Sequence, residues 1–151
     1  MEADSELDGY HKVEVVGVYM SSATEGAAPT PIVLLENKEE KVLPIYIGAS
    51  EAFSIQTALE GMPYPRPLTH DLFISLVEGL NSKIEKVIID DLDDGVFFAR
   101  LIVSRNGDEI EFDARPSDSL ALAVRTKAPI FVSKDVMKEA SVKRDEYNAS
   151  A

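Results

Sequence analysis

From His11 to Tyr19 apolar and polar residues alternate, placing Val13, Val15, Gly17 and Tyr19 on one face, and this period of two predicts a strand. Ile32 to Leu35 and Val42 to Ile47 are two further β-rich runs, joined by the polar hairpin connection Glu36 to Lys41. The period then changes. Ala52, Ile55 and Leu59 fall on one face of a helix over Ala49 to Leu59. A second set of runs repeats this order. Ile84 to Ile89 and Val96 to Val103 read as strands around a turn at Asp90 to Gly95. Glu109 to Ala114 reads as a third strand, and Ser117 to Thr126 as a helix. Asn106-Gly107 between the last two strands suits a type I′ turn, whose central residues need positive φ.

The two sets align at a constant offset of 67 residues, with Ser50-Glu51-Ala52 on Ser117-Asp118-Ser119 and the turn at Lys38 to Glu40 on Arg105 to Gly107. The expected fold is therefore α+β: a tandem repeat of a strand-strand-strand-helix unit with a mainly antiparallel sheet. An extra helix lies between the units. Met62-Pro63-Tyr64-Pro65-Arg66-Pro67 forms a stiff extended strut, because proline fixes φ and restricts its predecessor. Thr69 then caps a helix through Leu80, with Leu72, Phe73, Leu76, Val77 and Leu80 as its buried stripe and Leu68 and Phe73 at staple spacing. Phe131-Val132 reads as a short last strand and Asp135 to Ala140 as a short helix. These elements make one domain over residues 10–140, flanked by an acidic disordered arm (1–9) and a frayed tail (141–151). Ser21 to Pro31, small and polar, reads as a mobile loop.

Composition narrows the function classes. The chain has no cysteine and two histidines, His11 and His70, which excludes thiolate metal sites and argues against a His-rich zinc site. The acidic start is not a signal peptide, and no apolar run approaches the roughly 20 residues of a membrane span, so a cytoplasmic protein without membrane contact is expected. The net charge of −12 disfavours nonspecific attraction to nucleic acid. Two acidic groups, residues 1–8 and Asp90 to Asp94, carry four charges each and leave −4 for the rest, mild enough to permit a local basic groove. Asp90 to Gly95 lacks the alternate acids of a calcium loop, since Leu92 occupies one of those places.

Two clusters carry candidate chemistry. In Arg115-Pro116-Ser117-Asp118, Pro116 suits the first helical position, which puts Arg115 at the cap and Asp118 in the first turn. An acid there complements the helix dipole, a structural role that Glu51 shares in the first unit. The same helix start offers free N–H groups to a phosphate, and Arg115 adds a rigid fork for that anion. In Arg66-Pro67-Leu68-Thr69-His70-Asp71, capping accounts for Thr69 and Asp71. It does not account for a stiff strut that carries an arginine up to a histidine.

Pro44-Ile45-Tyr46-Ile47-Gly48, Glu51-Ala52, Ala58-Leu59-Glu60-Gly61, Pro65 to Leu72 and Asp113 to Arg125 resemble the bifunctional nuclease family, in order and at the family's spacing from about Val13 to Met137. The resemblance implies a compact α+β fold and nuclease activity on DNA and RNA, with a divalent metal, Mg²⁺ or Mn²⁺, as cofactor. Family pattern and physical reading coincide at Glu51, Arg66, His70, Asp71, Asp113, Arg115, Asp118 and Arg125. On this reading His70, Asp71, Arg115 and Asp118 are catalytic, and Arg66, Arg115 and Arg125 bind substrate. Asp113, Asp118 and Glu51 hold the metal, since Mg²⁺ takes one or two carboxylates plus water and substrate phosphate. The first-unit counterparts of Arg115 and Arg125 are Gly48 and Ala58, which fits one working site rather than two. The competing reading is a non-catalytic oligomeric binding or regulatory module, and a homo-oligomer, a dimer above all, is expected on either.

Overall fold

The computed structural model describes residues 7–21, 26 and 28–150. Residues 1–6 of the expected acidic arm, and 22–25 and 27 of the expected loop, lie outside the described residues. Strands β1 (Tyr10–Met20), β2 (Pro31–Glu36) and β3 (Lys41–Tyr46) pair as antiparallel neighbours and lead into α1 (Ala49–Glu60). After α2 (Thr69–Gly79), strands β4 (Ser82–Asp93), β5 (Val96–Arg105) and β6 (Asp108–Ala114) do the same and lead into α3 (Pro116–Thr126). The chain ends with β7 (Ile130–Ser133), α4 (Lys134–Ala140), β8 (Val142–Lys143) and α5 (Arg144–Ser150).

Among the described residues eight strands form one sheet in the order β6-β5-β4-β7-β1-β2-β3-β8, in which β4 with β7 is the one parallel pairing. The two triplets thus run outward from β7 in opposite directions. This is the α+β, mainly antiparallel fold expected. Turn chemistry fixes the second triplet: Asp94-Gly95 and Asn106-Gly107 all have positive φ, the I′ geometry that matches strand twist. Val33, Leu35, Leu43 and Ile45 from one triplet and Val87, Ile89, Leu101 and Val103 from the other share one core with Ile55 of α1 and Leu120 and Leu122 of α3. Complete burial of each such side chain is worth about 1.5–3 kcal/mol. This packing holds α1 and α3 side by side on the sheet with their N-termini adjoining.

Several expectations are corrected. Phe131-Val132 lies in a short strand as expected, but not the last: β7 sits mid-sheet between β1 and β4 and is followed by β8, and Ile130, Phe131 and Val132 are all buried. Residues 142–144 of the tail expected to fray are paired with the sheet. Val142 pairs with Val42, and Arg144 reaches Glu36 with its side chain and the Glu40 carbonyl with its N–H. The open outer edge of β3 supplies partners that two residues of sequence could not announce. Asp90 to Asp93 belong to β4 rather than a turn, and Asp90 accepts from Tyr10 and Arg100. Leu68, not Thr69, is the N-cap of α2, because Asp71 reaches back to accept from the Leu68 N–H at 2.9 Å. The stripe expected to be buried on α2 points mostly outward: Ile74 and Val77 pack on the core, and no residue of α2 is fully buried.

Leu120 is fully buried where α3 meets the sheet. Leu120→Ala should lower stability by about 2–5 kcal/mol, read as a lower urea midpoint at unchanged slope. A loss below about 1 kcal/mol would show that α3 does not rest on this core.

Candidate active site

The site begins at the two helix starts. Arg115 is the N-cap of α3, with extended backbone, and Pro116 follows at N1, where a missing N–H costs nothing. Gly48 is the N-cap of α1. Each helix carries an acid in its first turn, Glu51 in α1 and Asp118 in α3. Arg115 joins them. Its Nε donates to Asp118 Oδ2 at 2.9 Å, and its Nη2 donates to Glu51 Oε2 at 3.1 Å. Gly48 leaves room for the Glu51 carboxylate in this position: a Cβ there would lie 2.3 Å from Glu51 Oε1 and make that side chain shift. The residue that aligns with Arg115 in the first triplet is thus a gap into which that triplet's acid folds.

The N-terminus of α2 brings in His70. Its Nε2 lies 3.0 Å from Asp118 Oδ1 and its Nδ1 lies 2.7 Å from Ser54 Oγ of α1. An ionised carboxylate can only accept, so Nε2 carries the proton and donates to Asp118. In the neutral ring, Nδ1 then accepts from the Ser54 hydroxyl. Other helical hydroxyls, Ser119, Thr126 and Thr57, bond back to carbonyls of their own helix, the usual fate of such groups. Ser54 instead bonds across helices. Ser54, His70, Asp118 and Arg115 form one continuous hydrogen-bonded chain, with His70 only 12% exposed.

This chain separates two cavities. The first, about 550 Å³, is bounded by the first turns of α1 (Ala49, Ser50, Glu51) and α2 (Thr69, His70) and by Ser54, Arg115 and Asp118. Three helix N-termini thus face one space beside a guanidinium, an arrangement suited to an anion. The second, about 500 Å³, shares Thr69, His70, Arg115 and Asp118 and is otherwise walled mainly by Phe73, Leu101, Phe112 and Leu122.

Residues 32–145 match the model of the bifunctional nuclease domain. The chain belongs to the bifunctional nuclease domain family. It is 42% identical over 132 residues to an uncharacterized protein of Mycobacterium tuberculosis, covering 87% of this chain and 76% of that protein. It is 28% identical over 115 residues to bifunctional nuclease 2 of Oryza sativa subsp. japonica. To bifunctional nuclease 1 of Arabidopsis thaliana it is 29% identical over 112 residues. These matches cover 73% and 71% of this chain but only 35% and 34% of the plant proteins. No helix of the described residues is long and apolar enough to cross a membrane.

Of the family-pattern residues, the fold brings together Glu51, His70, Arg115 and Asp118. It sets the others apart. Asp71 accepts from the Leu68 N–H and from Arg125 Nε at 2.8 Å, while the His70 ring bonds to Ser54 and Asp118. Arg125, almost buried, also donates to the Ala121 carbonyl, so this pair ties α2 to α3. Arg66 is exposed at the bend of the strut. Asp113 pairs in register with Arg100 on β6's other face from Phe112; it borders the second cavity without bonding to Arg115 or Asp118. Ser54 was missed. Inside a helix a serine carries no sequence signal, and only the packing of α1 on α2 gives it a histidine.

Burial alone would push the Asp118 carboxyl up, but hydrogen bonds from His70 and Arg115 outweigh it and hold the group below its ordinary value. The Arg125 hydrogen bond does the same for Asp71. Exposed ion pairs such as that of Arg115, 64% exposed, are worth only about 0–1 kcal/mol, so stability alone gives little reason for the cluster. Depressed carboxyls stabilise the fold fully above the unfolded value of about 3.9, and that contribution is lost as the pH falls through the lower folded values. Acid titration of stability should therefore be shallower below about pH 4 in Asp118→Asn than in the wild type. Equal slopes in urea melts from pH 5 to pH 2.5 would show that Asp118 gains nothing from its partners.

Proposed function

We propose that this chain hydrolyses phosphodiester bonds of DNA and RNA at the cluster of Ser54, His70, Arg115 and Asp118. One observation carries the reading: three helix N-termini and an arginine converge on the cavity that holds the Ser54–His70–Asp118 hydrogen-bonded chain. A phosphate entering there meets first-turn N–H groups and the Arg115 fork, which stabilise the charge that develops on its oxygens. Both nitrogens of His70 are engaged, so it does not take a proton from water directly. A water beside Ser54 Oγ gives its proton to that oxygen as the Ser54 proton moves to His70 Nδ1. Asp118 stabilises the imidazolium so formed, and the resulting hydroxide attacks phosphorus. The P–O bond to the leaving oxygen breaks, and the same relay in reverse protonates that oxygen.

The divalent metal implied by the family resemblance finds a poor donor set. Asp113 stands apart from the other two expected ligands, and both oxygens of Asp118 already accept hydrogen bonds. No three His, Cys, Asp or Glu side chains among the described residues are placed to hold an ion.

Asp118→Asn should abolish cleavage of single-stranded DNA and RNA while preserving the fold, since the lost dipole stabilisation is at most about 1 kcal/mol. His70→Gln should lower the rate by roughly 10²–10⁴-fold, as for loss of a general base. Ser54→Ala should fall in the same range, because without its hydroxyl the proton path is broken. Equal trace cleavage by all variants and wild type would mark a contaminant and favour the binding-module reading, in which the Arg115 ion pairs are structural. Because the folded body is acidic, substrate binding should weaken steeply with salt. An apparent KM unchanged between 50 and about 200 mM salt would contradict a phosphate-led encounter.

A further inference from the structure

Helix α2 is apolar on two sides. Ile74 and Val77 face the core, whereas Leu72, Phe73, Leu76 and Leu80 face outward, with Leu72 63% and Leu76 60% exposed. Successive helical residues turn by about 100°, so Leu72, Leu76 and Leu80 form one row with Phe73 beside it. Asp71 and Glu78, the acids of this helix, fall on its flank, outside that row. A helix that is apolar all round is a buried helix, and this one has a cover on one side only. The patch continues onto the sheet edge: Phe73 and Phe112 of β6 border the same cavity, and Ile110 lies two residues away on the same strand face.

We propose that a second copy of this chain covers the face, α2 against α2 about a two-fold axis, and closes the second cavity beside His70, Arg115 and Asp118. Charge selects the occupant. A partner recognised electrostatically would need charged groups in the patch, and the outward row has none. The net charge of −12 on each copy opposes association, so a contact between copies forms best where neither surface carries charge, and added salt should strengthen it. In a two-fold contact each copy offers the apolar row that the other requires. Area agrees. Taking roughly 200 Å² for a fully exposed large apolar side chain, these six residues offer on the order of 600 Å² per copy. The apolar part of a standard interface is about 450–500 Å² per partner. The consequence for the site rests on the nuclease reading; the contact itself does not.

The experiment is a mass measurement by light scattering, paired with cleavage assays at the same chain concentration. At about 50 µM, wild type should have twice the chain mass of 16.5 kDa. Leu76→Glu changes an exposed residue, so it should keep the wild-type circular dichroism, run as a monomer and cleave at least tenfold more slowly. The chain has no cysteine, so Leu76→Cys introduces a single thiol. Mild oxidation should then link two copies where the α2 rows face each other. A monomeric wild type, a dimeric Leu76→Glu, or a Leu76→Cys variant that does not cross-link overturns the contact. A monomeric Leu76→Glu with full cleavage overturns the closure of the cavity. If no variant and no wild-type sample cleaves, the nuclease reading fails while the masses still decide the contact.

Discussion

Arg115 is the constraint on which the site depends. It stands at the cap of α3, follows the edge strand β6, and reaches both the acid of its own helix and the acid of α1. Neither ion pair adds much stability at that exposure. What the arginine does is join two helix starts, each of which would otherwise be an ordinary dipole-compensating cap. Gly48 completes the arrangement by leaving room for the Glu51 carboxylate.

The sheet makes that meeting possible. β7 separates the two triplets and pairs with both, so α1 and α3 descend onto one core with their N-termini at the same end. The interior supplies the rigidity through fully buried Leu35, Leu43, Ile55 and Leu120. α2 then closes the third side through His70 and is tied down by Asp71 and Arg125. Asp71, expected as catalytic, and Arg125, expected to bind substrate, form an ion pair between α2 and α3 in the fold.

Much of this was legible in the order of residues. Hydrophobic period and composition marked seven strands and four helices, and Asn106-Gly107 marked its turn, because period and positive φ are local properties. The motif pattern marked Glu51, His70, Arg115 and Asp118 among eight positions without separating them from Arg66, Asp71, Asp113 and Arg125, and their convergence follows from how the helices pack. The rest depends on tertiary contacts that leave no local trace. The serine that reaches His70 is one turn inside α1. The parallel partner of β7 lies on a strand over forty residues earlier. Of the stripe on α2 read as one buried face, only Val77 packs on the core, beside Ile74 from outside the stripe, and the other four residues face outward.

The central claim, that one anion site forms where three helix starts meet Arg115, is tested most directly by titrating ¹⁵N-labelled protein with a phosphorothioate dinucleotide. The backbone amides of Ala49, Ser50, Thr69 and His70 and the Arg115 Nε–H should shift, all saturating with one affinity. Shifts confined to other surfaces, with the Arg115 signal unmoved at saturation, would contradict it.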